Sequence, residues 1–151
     1  MKRTYVGLSL ALAAADQAIK TMVRQRPNGS ILFDIPHVVS IVHRTNTGAA
    51  FSLFAGRTAL ITLVSVVLMT LLFWLFLKAM RISKEGKLAL AVLTGGGIGN
   101  LIDRVMLASV TDYIRLSFID FPVFNLADIL ITVSIGALLL LTLTGRIEER
   151  G

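Results

Sequence analysis

Residues 58–77, "TALITLVSVVLMTLLFWLFL", carry no charge between Arg57 and Lys78. Crossing the hydrocarbon core of a bilayer takes roughly 20 residues of helix. In hydrocarbon every backbone N–H and C=O must find a partner within the protein, which leaves a helix or a closed barrel. One unbroken apolar run of this length has the helical solution. The composition points the same way. Of the residues, 55% are hydrophobic and 16% charged, against about 25% charged in a soluble domain.

Three further spans are expected. Residues 127–145 are apolar after Asp128, and no charge follows until Arg146. Residues 88–102 are uncharged between Lys87 and Asp103 and form the body of a span over 88–106. The first span, 5–23, contains Asp16 and Lys20. "MKR", an apolar stretch and "ALAAA" also fit a cleavable secretory signal. The spans that follow, and an acid and a base at i, i+4, favour a retained helix.

Four spans leave both termini on one side. Residues 1–3, 78–87 and 146–151 hold 8 Lys and Arg in 19 positions, while 24–57 and 103–128 hold 6 in 60. This asymmetry places the termini in the cytoplasm and both long connections outside. Residues 1–151 therefore read as one integral membrane domain. The expected fold is an all-α membrane protein of four transmembrane helices, with a small extracytoplasmic β-structured cap over about 24–57.

The net charge of +6 would raise nucleic acid in a soluble protein. Here the basic residues lie between and beyond the apolar runs, so nucleic-acid binding is set aside. The chain has no cysteine, which excludes disulfides, thiolate chemistry and Cys metal sites. His37 and His43 are the only histidines. Six apart on a strand they share a face, but no third ligand is evident and no metal is assigned.

Residues 31–45, "ILFDIPHVVSIVHRT", are rich in β-branched residues and broken by Pro36, so one or two short strands are expected. "NTG" at 46–48 is turn chemistry, and "AAFSLF" is a candidate start of a short surface helix. So apolar a cap lies on the bilayer surface or roofs a cavity.

Polar side chains at membrane depth need a reason, since an acid near the bilayer centre costs about 3 kcal/mol on insertion scales. A private ion pair accounts for Asp16 and Lys20 as well as a functional role does. "GGGIGN" at 95–100 lacks the strand–loop–helix setting of a phosphate loop. Gly95 and Gly99 instead have the small-xxx-small spacing of close helix packing. Asn100, Asp103 and Arg104 share a helix face and suit a scaffold role. Arg115 and Asp120 read as solvated loop charges. Asp112 and Asp128 fall at the outer membrane edge, just beyond span three and at the start of span four. Asn125, three residues before Asp128, is a helix N-cap in a near capping box.

Serine and cysteine nucleophile arrangements are missing, which turns attention to the acids. Two carboxylates a few ångströms apart cannot both ionise cheaply, so one keeps a proton while the other acts as a base. That is aspartic-protease chemistry. Spacing alone does not pair Asp112 with Asp128.

Five motifs in order carry more: "DQAIK", "RTNTGAAF", "GGGIGNLIDR", "VTDYI" and "FPVFNLAD". Together they resemble lipoprotein signal peptidase (signal peptidase II), a bacterial membrane aspartic protease family, over nearly the whole chain. The resemblance implies removal of the signal peptide from prolipoproteins just before a cysteine bearing a diacylglyceryl group. It implies Asp112 and Asp128 as the catalytic pair. Asp16, Lys20, Asn46, Gly48, Asn100, Asp103, Arg104 and Asn125 become supporting or substrate-binding residues. No metal or cofactor is implied. The expected partners are the lipid-modified precursor and membrane lipids, the expected state a monomer. The expected location is the bacterial cytoplasmic (inner) membrane with the site at its outer face. Departures are "TDY" where VDF is frequent, "ADI" where ADS is common, and a short segment between the two aspartates. A proton-coupled four-helix transporter using Asp16 and Lys20, or a non-catalytic assembly subunit, are the alternatives.

Overall fold

The structure, a computed structural model, describes residues 2–48, 57–78 and 82–148. The surface helix expected from "AAFSLF" lies outside the described residues. Four helices and three strands follow the order α1 (Lys2–Arg24), β1 (Ile31–Ile35), β2 (Val39–Asn46), α2 (Thr58–Lys78), α3 (Lys84–Leu107), β3 (Val110–Leu116) and α4 (Leu126–Leu143). Among the described residues, three helical stretches are long and apolar enough to cross a membrane: Arg3–Arg24, Lys84–Leu107 and Leu126–Leu143. The apolar stretch Ala59–Leu72 of α2 is shorter.

The burial pattern inverts that of a soluble protein. Leu139, Leu140, Val133 and Leu143 of α4 are exposed, whereas the largest fully buried side chains include Lys20, Asn125, Asp16 and Asp103. Hydrocarbon is as apolar as leucine, so helices in lipid gain little by hiding leucines from it. The polar groups are what must be turned inward.

α3 is the central helix and packs against the other three. Its glycines explain how. A Cβ on Gly95 would come within 2.9 Å of the Ser9 carbonyl of α1, one on Gly96 within 2.7 Å of the Ala127 carbonyl of α4, and one on Gly97 would collide with Met69 of α2. Three successive glycines thus face three neighbours, and the motif is a packing device. Ser9 Oγ, donating to the Ala91 carbonyl at 2.8 Å, ties α1 to α3 beside it.

The strands form one antiparallel sheet in the order β1-β2-β3. Pro36 sits in the β1–β2 hairpin turn, where His37 adopts φ 64, a left-handed backbone for which histidine is one of the more tolerant residues. The third strand was not expected. "VTDYI" is β-branched and aromatic, but the chain bends back onto β2 only because α3 ends at Ala108, with φ 54 and its N–H on the Arg104 carbonyl. β3 then pairs Asp112 opposite Arg44 and Val110 opposite Asn46. Arg115 is corrected with it: it lies on β3 and donates to Ser40 Oγ at 3.0 Å. It is not a free loop charge.

Gly96→Leu is expected to lower the thermal midpoint in detergent by separating α3 from α4, an overpacking cost of about 1–3 kcal/mol or more. Gly136→Ala, where an added Cβ meets nothing within 4 Å, is the control and should leave the midpoint level or slightly raised. Equal effects at both positions would contradict the packing account.

Candidate active site

The N-terminus of α4 is held by contacts from several elements. A helix start leaves four backbone N–H groups without helical partners, and here each has one. Asn125 N–H donates to Asp128 Oδ2 at 3.1 Å and Asp128 N–H to Asn125 Oδ1 at 2.9 Å, a complete capping box. Leu126 N–H donates to the Tyr113 hydroxyl of β3 at 3.0 Å, and Ala127 N–H to Asp16 Oδ1 of α1 at 3.1 Å. Asp128 therefore sits on a helix start fastened to a strand, to a distant helix and to itself.

Asp112 approaches from β3. Its Oδ2 accepts from Asn46 Nδ2 at 2.9 Å and its Oδ1 from Asn125 Nδ2 at 2.7 Å. Asn46 is itself oriented, because its Oδ1 accepts the Gly48 N–H at 2.9 Å. The position of Gly48 beside Asn46 thus has a geometric meaning. Asn125 spans the two acids: one end of its amide caps the helix at Asp128 and the other reaches Asp112. Asp128 Oδ1 accepts from Asn100 Nδ2 of α3 at 2.8 Å.

Both carboxylates open onto one groove of about 490 Å³. Its polar wall is Asn46, Arg104, Asp112 and Asp128, and its apolar wall comes from residues 121–124 and from Ile129, Ile131 and Val133 of α4. Asp112 is 3% exposed. Loss of water pushes its pKa up to about 6. The hydrogen bond from Asn46 works against that rise, and the charge of Asp128 adds to it. Burial raises the Tyr113 phenol to about 12, so it stays a neutral oxygen able to accept from Leu126.

Behind the pair lies a buried charge cluster. Lys20 Nζ lies 2.8 Å from Asp16 Oδ2 and 3.4 Å from Asp103 Oδ2, and donates to Asn100 Oδ1 at 2.9 Å. Asp103 also receives Arg24 Nη1 at 3.0 Å, Gln17 Nε2 at 3.0 Å and the Thr111 N–H at 2.9 Å. Asp16 and Lys20 are an ion pair as their spacing allowed, but not a private one.

The structure thus brings all ten expected residues into one connected region, with Asp16, Lys20 and Asp103 set back from the groove. Four contributors were missed: Gln17, Arg24, Thr111 and Tyr113. Arg24 continues the α1 face of Asp16 and Lys20 at i, i+4 spacing, and Gln17 lies three residues before Lys20, a readable signal. Thr111 acts through its backbone N–H and through a hydroxyl that accepts from Arg24 at 3.1 Å, and Tyr113 through its hydroxyl; both contacts depend on the fold, so neither had one. The histidines lie elsewhere: a ring nitrogen of His43 is 2.6 Å from the Arg26 carbonyl, and no group of three metal-ligating side chains occurs among the described residues.

Apolar helices around a buried polar core, with two acids facing one groove, fit a helical membrane protein with a paired-carboxylate site. The family described as signal peptidase (SPase) II matches residues 8–144. The chain is 36% identical over 149 residues to the lipoprotein signal peptidase of Streptococcus pneumoniae, covering 97% of each chain. It is 35% identical over 151 residues to that of Streptococcus pyogenes serotype M1, covering 99% of this chain and 98% of that one. A solved structure described as a bacterial membrane enzyme determined by the in meso method at 2.3 Å superposes with a TM-score of 0.87 at 25% identity, covering 98% of this chain and 94% of that one. The chain belongs to the signal peptidase II family. It is a bacterial membrane protease, and the transporter and assembly-subunit alternatives find no support.

Asn125→Ser keeps a good helix cap but removes the amide that reaches Asp112. It is expected to hold the thermal midpoint close to wild type while lowering turnover at least about 10-fold, the scale of a lost hydrogen bond to a charged group. Asn125→Ala, losing the cap as well, should also cost about 1 kcal/mol of stability. Wild-type turnover in Asn125→Ser would remove the bridging role.

Proposed function

We propose that the chain is an aspartic endopeptidase that removes the signal peptide from prolipoproteins, with Asp112 and Asp128 as its catalytic carboxylates. The observation that carries this reading is the meeting of two acids from different elements in one apolar groove, each accepting a hydrogen bond on both oxygens. In the working state the pair holds one proton. The ionised carboxylate takes a proton from a water as its oxygen attacks the scissile carbonyl carbon. The protonated carboxyl gives its proton to the carbonyl oxygen. The tetrahedral intermediate then collapses, the C–N bond breaks, and the proton taken from water leaves on the departing amine. The hydroxyl formed from the carbonyl oxygen gives its proton back to the carboxyl that supplied it. The products are a carboxylic acid, which then ionises in water, and an amine, and the pair returns to its one-proton state. The Arg104 guanidinium lines the same groove and offers N–H donors to a bound peptide backbone.

The substrate follows from the setting. The relatives are named lipoprotein signal peptidases, and the apolar groove wall runs into the exposed face of α4. A precursor whose cysteine carries a diacylglyceryl group keeps its acyl chains in the bilayer and presents the adjacent bond at this depth. In this reading all four helices cross the membrane, both termini face the cytoplasm, and the sheet lies over the groove at the outer face. The protein works as a monomer among membrane lipids and needs no metal or cofactor.

Purified in detergent or liposomes, the protein should cleave a diacylglyceryl-modified precursor and leave the unmodified one intact. Asp112→Asn and Asp128→Asn should each lower turnover by about 10³-fold or more while the protein still folds. Full activity in either sinks the assignment. The wild-type rate should fall as pH rises past about 6, where the buried Asp112 gives up its proton. Asn46→Ala should move that alkaline limb upward, because the Asn46 bond favours the charged form.

Orientation has its own check. A cysteine introduced at Lys84 should resist an impermeant thiol reagent in whole cells, and ready labelling would reverse the topology.

A further inference from the structure

Both acids accept two hydrogen bonds, but the donors are set up differently. The amides serving Asp112, Asn46 and Asn125, have their oxygens held by neutral backbone N–H groups, those of Gly48 and Asp128. The amide serving Asp128 is Asn100, and its oxygen is held by a cation, Lys20 Nζ at 2.9 Å. Asn125 Nδ2 adds a second donor to the same oxygen at 3.2 Å. An amide has one acceptor end and one donor end, and an ammonium only donates. With Asn100 Oδ1 facing two donors, its NH2 must face Asp128. Reversing the amide would set NH2 against NH3⁺, leave a buried Lys20 N–H without its acceptor, and turn the amide oxygen toward the Asp128 carboxylate. Lys20 is fully buried and does not line the groove. Its three N–H bonds go to Asp16, Asp103 and Asn100.

We propose that Lys20 is a positioning residue for the reaction: by holding the Asn100 NH2 on Asp128, it places the pair's shared proton on Asp112. Asp128 is then the base that takes the proton from water, and Asp112 the acid that supplies the carbonyl oxygen. A cation on the far end of an amide polarises it and makes its NH2 a stronger donor, and a donor on a carboxylate favours the ionised form. The backbone N–H of Asn125 on the other oxygen, at the positive end of α4, acts in the same sense. The charged or titratable groups around Asp128 are Asp112 and Tyr113 from β3, Arg104 and Asp103 from α3, and Asp16 and Lys20 from α1. Arg104 lies beside both acids. Of these groups, Lys20 is the one joined to the Asp128 carboxylate through a single side chain, Asn100, whereas the Asn125 side chain links Asp112 to the Asp128 backbone N–H.

The inference rests on the acid-pair reading, and the experiment separates the two. Lys20→Met alone would strand Asp16, so the test variant is D16N/K20M, which removes the ion pair as a neutral unit. Its kcat/KM profile on the lipid-modified precursor should show the acid limb moved to higher pH by about one unit, the size expected when a hydrogen bond to a charged group is lost. kcat should fall about 10-fold and KM should stay near wild type. A fall in kcat with both limbs unmoved marks a purely structural role and overturns the proposal, as does an effect confined to KM.

Should D16N/K20M fail to fold, the wild-type protein answers instead. Carbon-13 NMR of the labelled Asp side chains, at a pH between the two limbs, should find Asp112 protonated and Asp128 ionised; the reverse overturns the proposal. Turnover surviving in Asp112→Asn or Asp128→Asn would remove the acid-pair reading itself. Loss of turnover in both, with wild-type limbs in D16N/K20M, would remove only the role of Lys20.

Discussion

The rest of the structure depends on the buried ammonium of Lys20. Taking such a charge out of water costs several kcal/mol even after relaxation, and it is tolerated only where partners surround it. Lys20 meets Asp16 on its own helix and both Asp103 and Asn100 on α3. Arg24 adds a second positive charge against Asp103, so two acids face two bases and the cluster is neutral. Among the described residues no buried side-chain polar atom is left without a partner. Satisfying that one cluster settles how α1 lies on α3. Through Asp16 on Ala127 N–H it also fixes where α4 begins.

Site and scaffold are therefore the same object. Asp103 holds the start of β3 through the Thr111 N–H, and β3 carries Asp112 one residue later. Asp16 holds the start of α4, and α4 carries Asp128 one residue after Ala127. Each groove carboxylate is displaced by a single position from a backbone group fixed by the cluster. Asn125 closes the gap between them. The glycines of α3 serve the same end, since a Cβ at Gly99 would come within 2.5 Å of Asp16 Oδ2 and push it off Lys20. The apolar exterior contributes little specificity, and lipid suits it without any particular arrangement.

Much of this was legible in residue order, though unevenly. The uncharged run after Arg57 and the apolar tail after Asp128 announced membrane helices through length alone. The capping box of Asn125 and Asp128 was nearly complete in the sequence because it is a local feature. The glycine spacing declared packing, and i, i+4 spacing declared the Asp16–Lys20 pair. β3 was missed, and Arg115 with it, because pairing between strands so far apart in the chain, Ser40 with Arg115 and Asn46 with Val110, leaves no periodic trace in one sequence. The five ordered motifs supplied the family resemblance, which spacing arguments could not reach.

By itself the sequence determined the solvent, the helical class, the helix start at Asn125 and the need to hide a few charges. Those follow from transfer free energies and local hydrogen bonding, which act within a turn or a span. Only the tertiary structure decided which polar groups meet: Asp112 beside Asn125, Asn100 between Lys20 and Asp128, Tyr113 beneath α4. The physical reason is that a carboxylate or an amide accepts many partners of equal chemistry. Its choice among them is made by where close helix packing and one unexpected strand deliver it.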